Sequence, residues 1–247
     1  PRSRGPQTRI ELDQVSVQFG AVHALRAVSF SAQSGEVTCL LGDNGAGKST
    51  LIRVLSGVHR PARGNYLIDG EVVHFTAPRA ALERGIATVH QDLALIPLMS
   101  VWRNFCLGAE PRTGWGPLRS IDKASARATA RATLAEFGID LRDADRTVAR
   151  MSGGERQAIA IGRALQRGAL ALILDEPTAA LGVKQVEIVL RNIGVARARG
   201  AAVILVTHNP QHALAVGDRF VVLRQGRVLG VYGRGEVDAE ALRALMS

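Results

Sequence analysis

Apolar and polar residues alternate in short runs over residues 10–41, and glycines interrupt these runs. A period of two is typical of half-buried strands, so this part predicts an antiparallel meander that leads into a buried strand at residues 36–41. A glycine-rich turn follows. After Lys48 the apolar residues recur at helical spacing until Gly57. The pattern therefore predicts a strand, a glycine turn and a helix in that order.

The middle of the chain has a different pattern. Asp69 and Gly70 separate two apolar runs and predict a hairpin, and a short helix at 77–85 and a strand at 86–91 are expected next. From about residue 92 to residue 150 we predict an inserted helical lobe, with a short helix at 102–107, an irregular stretch at 109–120 and a long Ala/Arg helix. Asp122 is the expected N-cap of the long helix, and Gly138 is its expected end.

Strand and helix alternate again in the second half. Residues 170–175 and 201–208 are nearly all apolar, as expected of strands in a parallel sheet that is covered on both faces. A hairpin at Gln225 and Gly226 and a final short helix follow, so the predicted fold class is α/β. The helix between the two strands should have one apolar face. That face is predicted to contain Val183, Val186, Val189, Leu190 and Ile193.

The composition is that of an ordinary globular protein. Hydrophobic residues make up 47% and charged residues 21% of the 247 residues, which allows a substantial core. The net charge of +9 comes mostly from Arg residues dispersed along the chain, so no nucleic-acid partner is expected. Cys39 and Cys106 have neither metal-ligand nor disulfide spacing, which fits a cytoplasmic protein. No apolar run approaches the ~18 residues that span a bilayer, so a membrane role would need a partner.

The glycine turn is the first candidate site. Gly42, Gly47, Lys48 and Ser49 fit the P-loop pattern G-x-x-x-x-G-K-[ST], in which glycines let backbone N–H groups wrap phosphate oxygens. The following helix directs the positive end of its dipole at the same anion. Lys48 is expected to reach the β- and γ-phosphates, and the Ser49 hydroxyl to ligate Mg²⁺. The predicted nucleotide-contacting residues here are Gly42, Asp43, Asn44, Gly45, Ala46, Gly47, Lys48, Ser49 and Thr50.

A second candidate site lies at the end of the strand at 170–175. Asp175 and Glu176 should enter the crevice at the carboxyl end of the sheet. Asp175 is the expected Mg²⁺ ligand, directly or through water, and Glu176 is the expected general base for an attacking water. Two adjacent carboxylates alone would favour a solvated strand end. Together with the P-loop pattern they favour a site for nucleotide hydrolysis.

The segment RMSGGERQAIAIGRAL at residues 150–165 resembles the signature segment of ATP-binding cassette (ABC) ATPases. Further motifs in the family's order extend from Phe19 to His208. The resemblance implies one nucleotide-binding domain over residues 1–247, with a P-loop NTPase mixed-sheet core, an antiparallel β subdomain and an inserted helical subdomain. The core and β subdomain should comprise about residues 10–91 and 151–247, and the helical subdomain about 92–150. It also implies that the chain binds and hydrolyses ATP with Mg²⁺.

The resemblance further implies that two cassettes work together. Ser152, Gly153, Gly154 and Glu155 match residues that contact the ATP held by a second subunit, so a head-to-tail homodimer is expected. The family's usual residue at position 155 is Gln, and the carboxylate of Glu155 adds a negative charge there. The loop after the catalytic carboxylates normally ends in Asp but here ends in Gly182, which could alter communication between the two sites.

Three other site residues are assigned by the resemblance alone. Gln91 matches the glutamine that senses Mg²⁺ and the attacking water and couples the helical subdomain to a membrane partner. His208 matches the histidine that contacts the γ-phosphate and orients the catalytic groups. Phe19 matches the aromatic residue that stacks on adenine. Without the resemblance, Gln91 would be an ordinary polar strand end, His208 a structural histidine and Phe19 a core residue.

Within the family, the segments GDNGAGKST, HQDLALIPLMSVWRN and DEPTAALGVKQ resemble the ATPases of bacterial monosaccharide importers. This implies a peripheral subunit on the cytoplasmic face of the membrane, bound to transmembrane permease subunits and served indirectly by a sugar-binding protein. Many members of that group carry two cassettes on one chain. The single cassette here favours the single-cassette subgroup, with a fragment of a longer protein as the other interpretation.

Other functions stay open from the sequence. An importer for another solute fits the same motifs. Some ABC-type ATPases act on DNA or ribosomes, but the coiled-coil heptads of the DNA-repair forms and the charged linker of the ribosomal forms are not seen. A regulatory module that binds nucleotide without hydrolysis is a third interpretation. The combination of Lys48, Asp175, Glu176 and His208 argues against it.

Overall fold

We describe the protein from a computed structural model that covers residues 8–115 and 119–247. Strands and helices alternate through most of the chain, which confirms the predicted α/β class. The elements in chain order are β1 (Arg9–Phe19), β2 (Val22–Gln33), β3 (Val37–Leu41), α1 (Lys48–Leu55), β4 (Arg63–Ile68), β5 (Glu71–Val72), α2 (Pro78–Glu83), β6 (Ile86–Val89), α3 (Val101–Cys106), β7 (Arg112–Thr113), β8 (Ser120–Ile121), α4 (Lys123–Glu136), a 3₁₀ turn (Val148–Arg150), α5 (Gly153–Gln166), β9 (Ala171–Asp175), α6 (Val183–Ala198), β10 (Ala202–Thr207), α7 (Pro210–Val216), β11 (Arg219–Arg224), β12 (Arg227–Gly233) and α8 (Ala239–Met246).

The first part of the chain forms a four-stranded antiparallel sheet in the order β2-β1-β4-β5. Positive φ angles of 50° at Gln14 and 50° at Ala27 accompany shifts in the β1–β2 register. Bulges of this kind bend a sheet. The turn between β4 and β5 has φ angles of 53° at Asp69 and 82° at Gly70, as a two-residue hairpin turn requires. The predicted meander and hairpin are confirmed.

The central sheet has six strands in the order β12-β11-β3-β10-β9-β6. All neighbouring strands run parallel except β12, which is antiparallel to β11. Alternate residues of β3, β9 and β10 pack into two different apolar cores, one on each face of the sheet. Helices cover both faces, which explains why these strands are apolar throughout. The carboxyl ends of β3, β10, β9 and β6 lie along one edge, and the segments after them carry the candidate residues.

Helices α3 and α4 of the predicted helical lobe pack against each other and against α5. The region where they meet contains Phe105 and Phe137, and a Cβ atom added to Gly162 would lie 3.2 Å from the Phe105 ring. The close approach of α5 to this cluster therefore depends on a residue without a side chain. Asp122 caps α4 by accepting a hydrogen bond from the backbone N–H of Ser125 at 3.0 Å. This confirms the predicted start of the long helix.

Three details differ from the sequence predictions. The stretch predicted to be irregular contains a short hairpin, because β7 and β8 pair antiparallel on either side of residues 116–118, which lie outside the described part. Strand β6 ends at Val89, so Gln91 belongs to the following loop. Val183 is 77% exposed, because α6 becomes buried only from Val189 onward. None of the helices in the described ranges has the length and hydropathy of a membrane-spanning segment.

Candidate functional site

The glycine turn between β3 and α1 has a backbone that only glycine fits well. Gly42 and Gly47 have φ angles of 157° and 107°. A Cβ atom at Gly42 would lie 2.3 Å from the carbonyl oxygen of Leu223, and one at Gly47 would lie 2.8 Å from that of Ala24. Because neither position has room for a side chain, the loop can close tightly, as phosphate binding requires.

Lys48 opens α1 and folds back across the loop. Its Nζ donates hydrogen bonds to the carbonyl oxygens of Gly42 at 2.6 Å and Asp43 at 3.2 Å. The side chain is buried, and it is held by backbone dipoles instead of by a carboxylate. Gly47 provides no side-chain cap for α1, and the first turn contains no acidic residue. Both the ammonium and the helix N-terminus are therefore suited to an anion.

A cavity of about 460 Å³ opens in front of this loop. Its other wall is formed by β2, through Val22, His23 and Arg26. The loop residues that line it are Asp43, Asn44, Gly45, Gly47, Lys48, Ser49 and Thr50. Gly42 and Ala46 support the loop from behind, since Ala46 is buried and accepts a hydrogen bond from the N–H of Gly226.

Phe19 lies at the end of β1 but does not line this cavity. Its ring is 44% exposed and meets His59 edge to face, with 5.1 Å between the ring centroids. The exposed ring is free to stack on a planar group. Val22 and His23 are the neighbouring residues that do line the cavity, and the sequence patterns did not indicate them.

The two carboxylates follow β9 as predicted. Asp175 is about half buried, and its pKa is raised, mainly because the loss of solvent disfavours the charged carboxylate. Smaller electrostatic effects act on the same pKa: His90 and Lys48 lower it, and Glu176 raises it. Glu176 has a φ angle of 47°, which is uncommon for a residue with a side chain. Its backbone N–H donates to the carbonyl oxygen of Val206 on β10 at 3.0 Å. The strained residue is thus tied to the neighbouring strand.

His208 follows β10 and contacts Glu176 directly. The Nδ1 atom of His208 and the Oε1 atom of Glu176 are 2.9 Å apart. Two residues assigned only by the resemblance and by the strand pattern are therefore brought together by the fold. The carboxylate can orient the imidazole, as paired acid and base groups do in catalytic sites.

A second histidine, His212, joins the same region. Its Nδ1 atom is 3.0 Å from Oγ1 of Thr178, two residues after Glu176. Its backbone N–H donates to Oδ1 of Asn209 at 3.1 Å, which caps α7. Thr178 and His212 are far apart in the chain, so no local pattern predicts this contact. The only local signal is the spacing of four residues between His208 and His212.

The signature segment forms the start of α5 and has a complete capping box. Ser152 Oγ accepts from the N–H of Glu155 at 3.3 Å, and the Glu155 carboxylate accepts from the N–H of Ser152 at 2.7 Å. Arg146 donates to the other carboxylate oxygen at 3.1 Å. Burial raises the pKa of Glu155, but the hydrogen bonds from Ser152 and Arg146 outweigh it and lower the pKa. The extra charge noted in the sequence is therefore paired within the chain.

The remaining signature residues pack against the loop before α6 and against the first turns of α6. A Cβ atom on Gly153 would lie 2.4 Å from a methyl group of Leu181, and one on Gly154 would lie 3.0 Å from the carbonyl oxygen of Gln185. Gln91 lines a separate cavity of about 300 Å³ together with Gly153 and Leu181. Gln91 thus faces the signature region in this structure and does not line the P-loop cavity.

The donors around the P-loop are suited to Mg²⁺ that arrives with a nucleotide. Within residues 8–115 and 119–247, no three His, Cys, Asp or Glu side chains converge into a metal-binding group. Nucleotide-bound Mg²⁺ needs only one or two protein oxygens, because phosphate oxygens and waters complete its octahedron. The hydroxyl of Ser49 and the carboxylate of Asp175 are hard oxygen ligands of that kind.

Comparison with known proteins identifies the family. The model of the ABC transporter family matches residues 25–179, more than half of the chain. The chain belongs to the ABC transporter family. A solved dimeric bacterial ABC transporter cassette is similar to it with a TM-score of 0.73 and 26% identity, covering 91% of this chain and 98% of the other. The family and the fold are those of the ABC transporter ATPases, and membership implies nucleotide binding.

Two relatives within the ABC transporter family are similar over most of their length. The chain is 37% identical over 238 residues to the xylose/arabinose import ATP-binding protein XylG of Sulfolobus acidocaldarius. The aligned stretch covers 96% of this chain and 93% of that protein. The chain is 40% identical over 220 residues to the fructose import ATP-binding protein FrcA of Rhizobium meliloti, which covers 87% of this chain and 84% of that protein.

Proposed function

We propose that this chain is the ATP-hydrolysing subunit of an ABC importer for a monosaccharide. One observation carries the ATPase part: Lys48, Glu176 and His208 follow the three neighbouring parallel strands β3, β9 and β10. Oε1 of Glu176 and Nδ1 of His208 are 2.9 Å apart. The sugar part is supported by the relatives, which are import ATP-binding proteins for xylose, arabinose and fructose.

The P-loop would bind the phosphates of ATP. Its glycines leave the backbone N–H groups unobstructed, and Lys48 would exchange its bonds to two carbonyl oxygens for stronger bonds to phosphate oxygens. Ser49 and Asp175 would hold Mg²⁺, which supplies neutralisation of the phosphate charge. Phe19 would stack on the adenine beside the cavity wall formed by β2.

Hydrolysis would depend on Glu176 and His208. The Glu176 carboxylate would accept a proton from the attacking water as the oxygen bonds to the γ-phosphorus and the bond to the ADP oxygen breaks. His208 would contact the γ-phosphate and orient the catalytic groups. Gln91 would orient the water and report the state of the site to the helical lobe. The contact between Glu176 and His208 holds both groups together at the same edge of the sheet.

A second copy of the chain would complete each site. The N-terminus of α5, with Ser152, Gly153 and Gly154, would contact the γ-phosphate held by the partner's P-loop, with Glu155 at the edge of this contact. We also propose the division into a core and β subdomain at about 10–91 and 151–247 and a helical subdomain at about 92–150. That subdomain would dock on a permease at the cytoplasmic face of the membrane, and a sugar-binding protein would be reached only through the permease.

Phosphate release measures the catalytic part of this proposal. We expect steady-state release from ATP and Mg²⁺ by the wild type and a loss of about 100-fold or more in Glu176→Gln, because the amide cannot accept the proton. ATP binding should persist in that variant, since the P-loop is unchanged. Equal rates of release in the two proteins would remove Glu176 from the role of general base.

Purification from native membranes measures the transport part. Tagged Glu176→Gln should be isolated with ATP from detergent-solubilised membranes, and the proteins that accompany it identified by mass spectrometry. We expect a permease with several membrane spans among these proteins. If docking depends on ATP, this permease should be absent from a matched Lys48→Ala sample. Recovery of ribosomal or DNA-bound proteins instead would contradict the importer while leaving the ATPase chemistry in place.

A further inference from the structure

His212 connects the two loops that carry the proposed catalytic groups. It lies in the first turn of α7, and its ring is 3.0 Å from the hydroxyl of Thr178 in the loop that follows Glu176. Its backbone N–H is held by Asn209, next to His208 in the other loop. No part of the proposed binding of ATP or Mg²⁺ uses His212.

The hydrogen bonds around His212 determine which ring nitrogen carries the proton. Asn209 Oδ1 is the acceptor for the His212 N–H, so the amide nitrogen Nδ2 faces His212 Nε2 at 3.4 Å. An amide N–H can only donate, so Nε2 must be the acceptor. The proton then resides on Nδ1, which donates to Oγ1 of Thr178. Burial and His208 lower the pKa of His212 although Glu176 opposes them, and this favours the neutral ring that the network needs.

The segment that His212 holds is strained. Glu176 has a positive φ angle, and such a conformation persists in a non-glycine residue only when its surroundings maintain it. The hydrogen bonds around this segment include the one from the Glu176 N–H to Val206, the one from Gln157 Nε2 to the carbonyl oxygen of Pro177 at 2.9 Å, and the one from His212 to Thr178.

Two side-chain hydrogen bonds join the loop after β9 to the segment after β10 in the described ranges, His208 to Glu176 and His212 to Thr178. The first joins two groups that would both take new partners in the proposed reaction, His208 the γ-phosphate and Glu176 the attacking water. The second involves no group that the reaction uses. It is therefore the side-chain link that can persist through the chemical step.

We propose that His212 is a positioning residue for ATP hydrolysis, which holds Thr178 so that the Glu176 carboxylate keeps its orientation during the chemical step. This inference rests on the proposed function. It assigns to His212 an effect on the rate of the chemical step and none on the binding of ATP, because His212 lies outside the P-loop cavity.

Amide substitutions distinguish the two ring nitrogens. In His212→Asn the side-chain amide is expected near the position of Nδ1, so it can still donate to Thr178. In His212→Gln the amide reaches toward the position of Nε2, and the bond to Thr178 is lost. Thr178→Val removes the same bond from the other side, and Thr178→Ser keeps it. The measurement is kcat and KM for phosphate release by each protein, with thermal melting as the check of folding.

We expect His212→Gln and Thr178→Val each to lower kcat about tenfold with KM for ATP within about twofold of the wild type. His212→Asn and Thr178→Ser should retain most of kcat. The double variant His212→Gln/Thr178→Val should be no slower than the slower single variant, because both remove one bond. If His212→Gln does not fold, the comparison of Thr178→Val with Thr178→Ser tests the same bond.

An unchanged kcat in Thr178→Val, or equal losses in His212→Asn and His212→Gln, would overturn the inference. Multiplied losses in the double variant would do so as well. Failure of the proposed function has a different signature, because Glu176→Gln would then release phosphate as fast as the wild type. Normal rates in the His212 and Thr178 variants beside an inactive Glu176→Gln would contradict only the role of His212.

Discussion

The helices α1 and α5 both begin at backbone amides that suit an anion, but their first turns differ in charge. α1 begins with Lys48, has no acidic residue in its first turn and has no side-chain cap. α5 begins with a capping box in which Ser152 and Glu155 already satisfy each other's N–H groups, and Arg146 pairs with the carboxylate. The N-terminus of α1 is left for a ligand, whereas that of α5 is stabilised by the chain itself.

The difference indicates that the two helix starts contribute to the proposed site in different ways. The P-loop should provide most of the affinity for nucleotide, because its amides and its ammonium gain their best partner only when phosphate binds. The start of α5 should contribute a rigid shape, because its cap is complete without ligand. In the proposed dimer, Arg146 would keep the carboxylate of Glu155 from opposing the partner's phosphate.

The largest effect should come from the P-loop. Lys48→Ala should raise the Kd for ATP of the isolated chain by about 100-fold or more, since charge-assisted bonds contribute ~1.5–3 kcal/mol each. Ser152→Asp should leave that Kd within about threefold, because Asp is as good an N-cap as Ser and the signature is proposed to act on the partner's ATP. Titration at concentrations where the chain is monomeric measures both. Similar losses of affinity in the two variants would contradict the division of roles.

A smaller effect is expected when Arg146 is removed. Arg146→Ala leaves Glu155 without its charge partner at the edge of the partner's site, and ATP-dependent dimer formation should weaken by about tenfold. Arg146→Ala/Glu155→Gln should recover most of the loss, because the unpaired charge is gone. Sedimentation with ATP in the Glu176→Gln background measures the dimer. A double variant no better than Arg146→Ala would show that Arg146 acts by some other route.

The two carboxylates should also differ in their effect on stability. Burial raises the pKa of Asp175, so its charge destabilises the folded chain at neutral pH, whereas the pKa of Glu155 is lowered and its charge stabilises. Asp175→Asn should therefore stabilise the nucleotide-free protein by roughly 1 kcal/mol or less, since solvent screens a half-buried group. The gain should shrink as the pH falls below the raised pKa of Asp175, and it should vanish below the ordinary pKa of Asp, because the carboxyl is then protonated in both the folded and the unfolded chain. Thermal melting against pH measures this, and a destabilised variant at neutral pH would contradict it.

The smallest effect concerns a third helix start. α6 begins at Gly182, which has an extended backbone and no side-chain cap, and no atom lies within 4 Å of an added Cβ. Gly182→Asp would give α6 a cap similar to the one that Ser152 gives α5. We expect a gain in stability of roughly 0.5–1 kcal/mol from the cap and the lower entropy of the unfolded chain. Gly182→Ala is the matched control that lacks the cap, and equal melting temperatures in the two would rule out capping.

Local patterns predicted the P-loop side of this comparison well. The strand, the glycine turn and the helix at Lys48 are contiguous, so spacing alone located them. The turn at Asp69 and Gly70 and the N-cap at Asp122 were predicted for the same reason. The capping box of Ser152 and Glu155 could have been read from the sequence, because its two members are three residues apart.

Contacts between distant segments could not be predicted in this way. Thr178 and His212 meet because β9 and β10 are neighbouring parallel strands, a fact of sheet order that no local pattern contains. Arg146 reaches Glu155 across the end of the helical lobe. The exposure of Val183 likewise depends on where α6 meets the core, and its apolar character alone gave the wrong expectation.

We expect a complete site to combine the P-loop of one copy with the start of α5 of another. Mixing Lys48→Ala with Ser152→Asp tests it directly, because each variant alone should release almost no phosphate. A mixed dimer would contain one site with both parts intact, so the mixture should recover activity, up to roughly a quarter of the wild-type rate if subunits exchange at random. Ser152→Asn, which caps α5 without adding charge, should release phosphate without being mixed with a second variant. A mixture as inactive as its two components, under conditions where mixed dimers are shown to form, would contradict the claim.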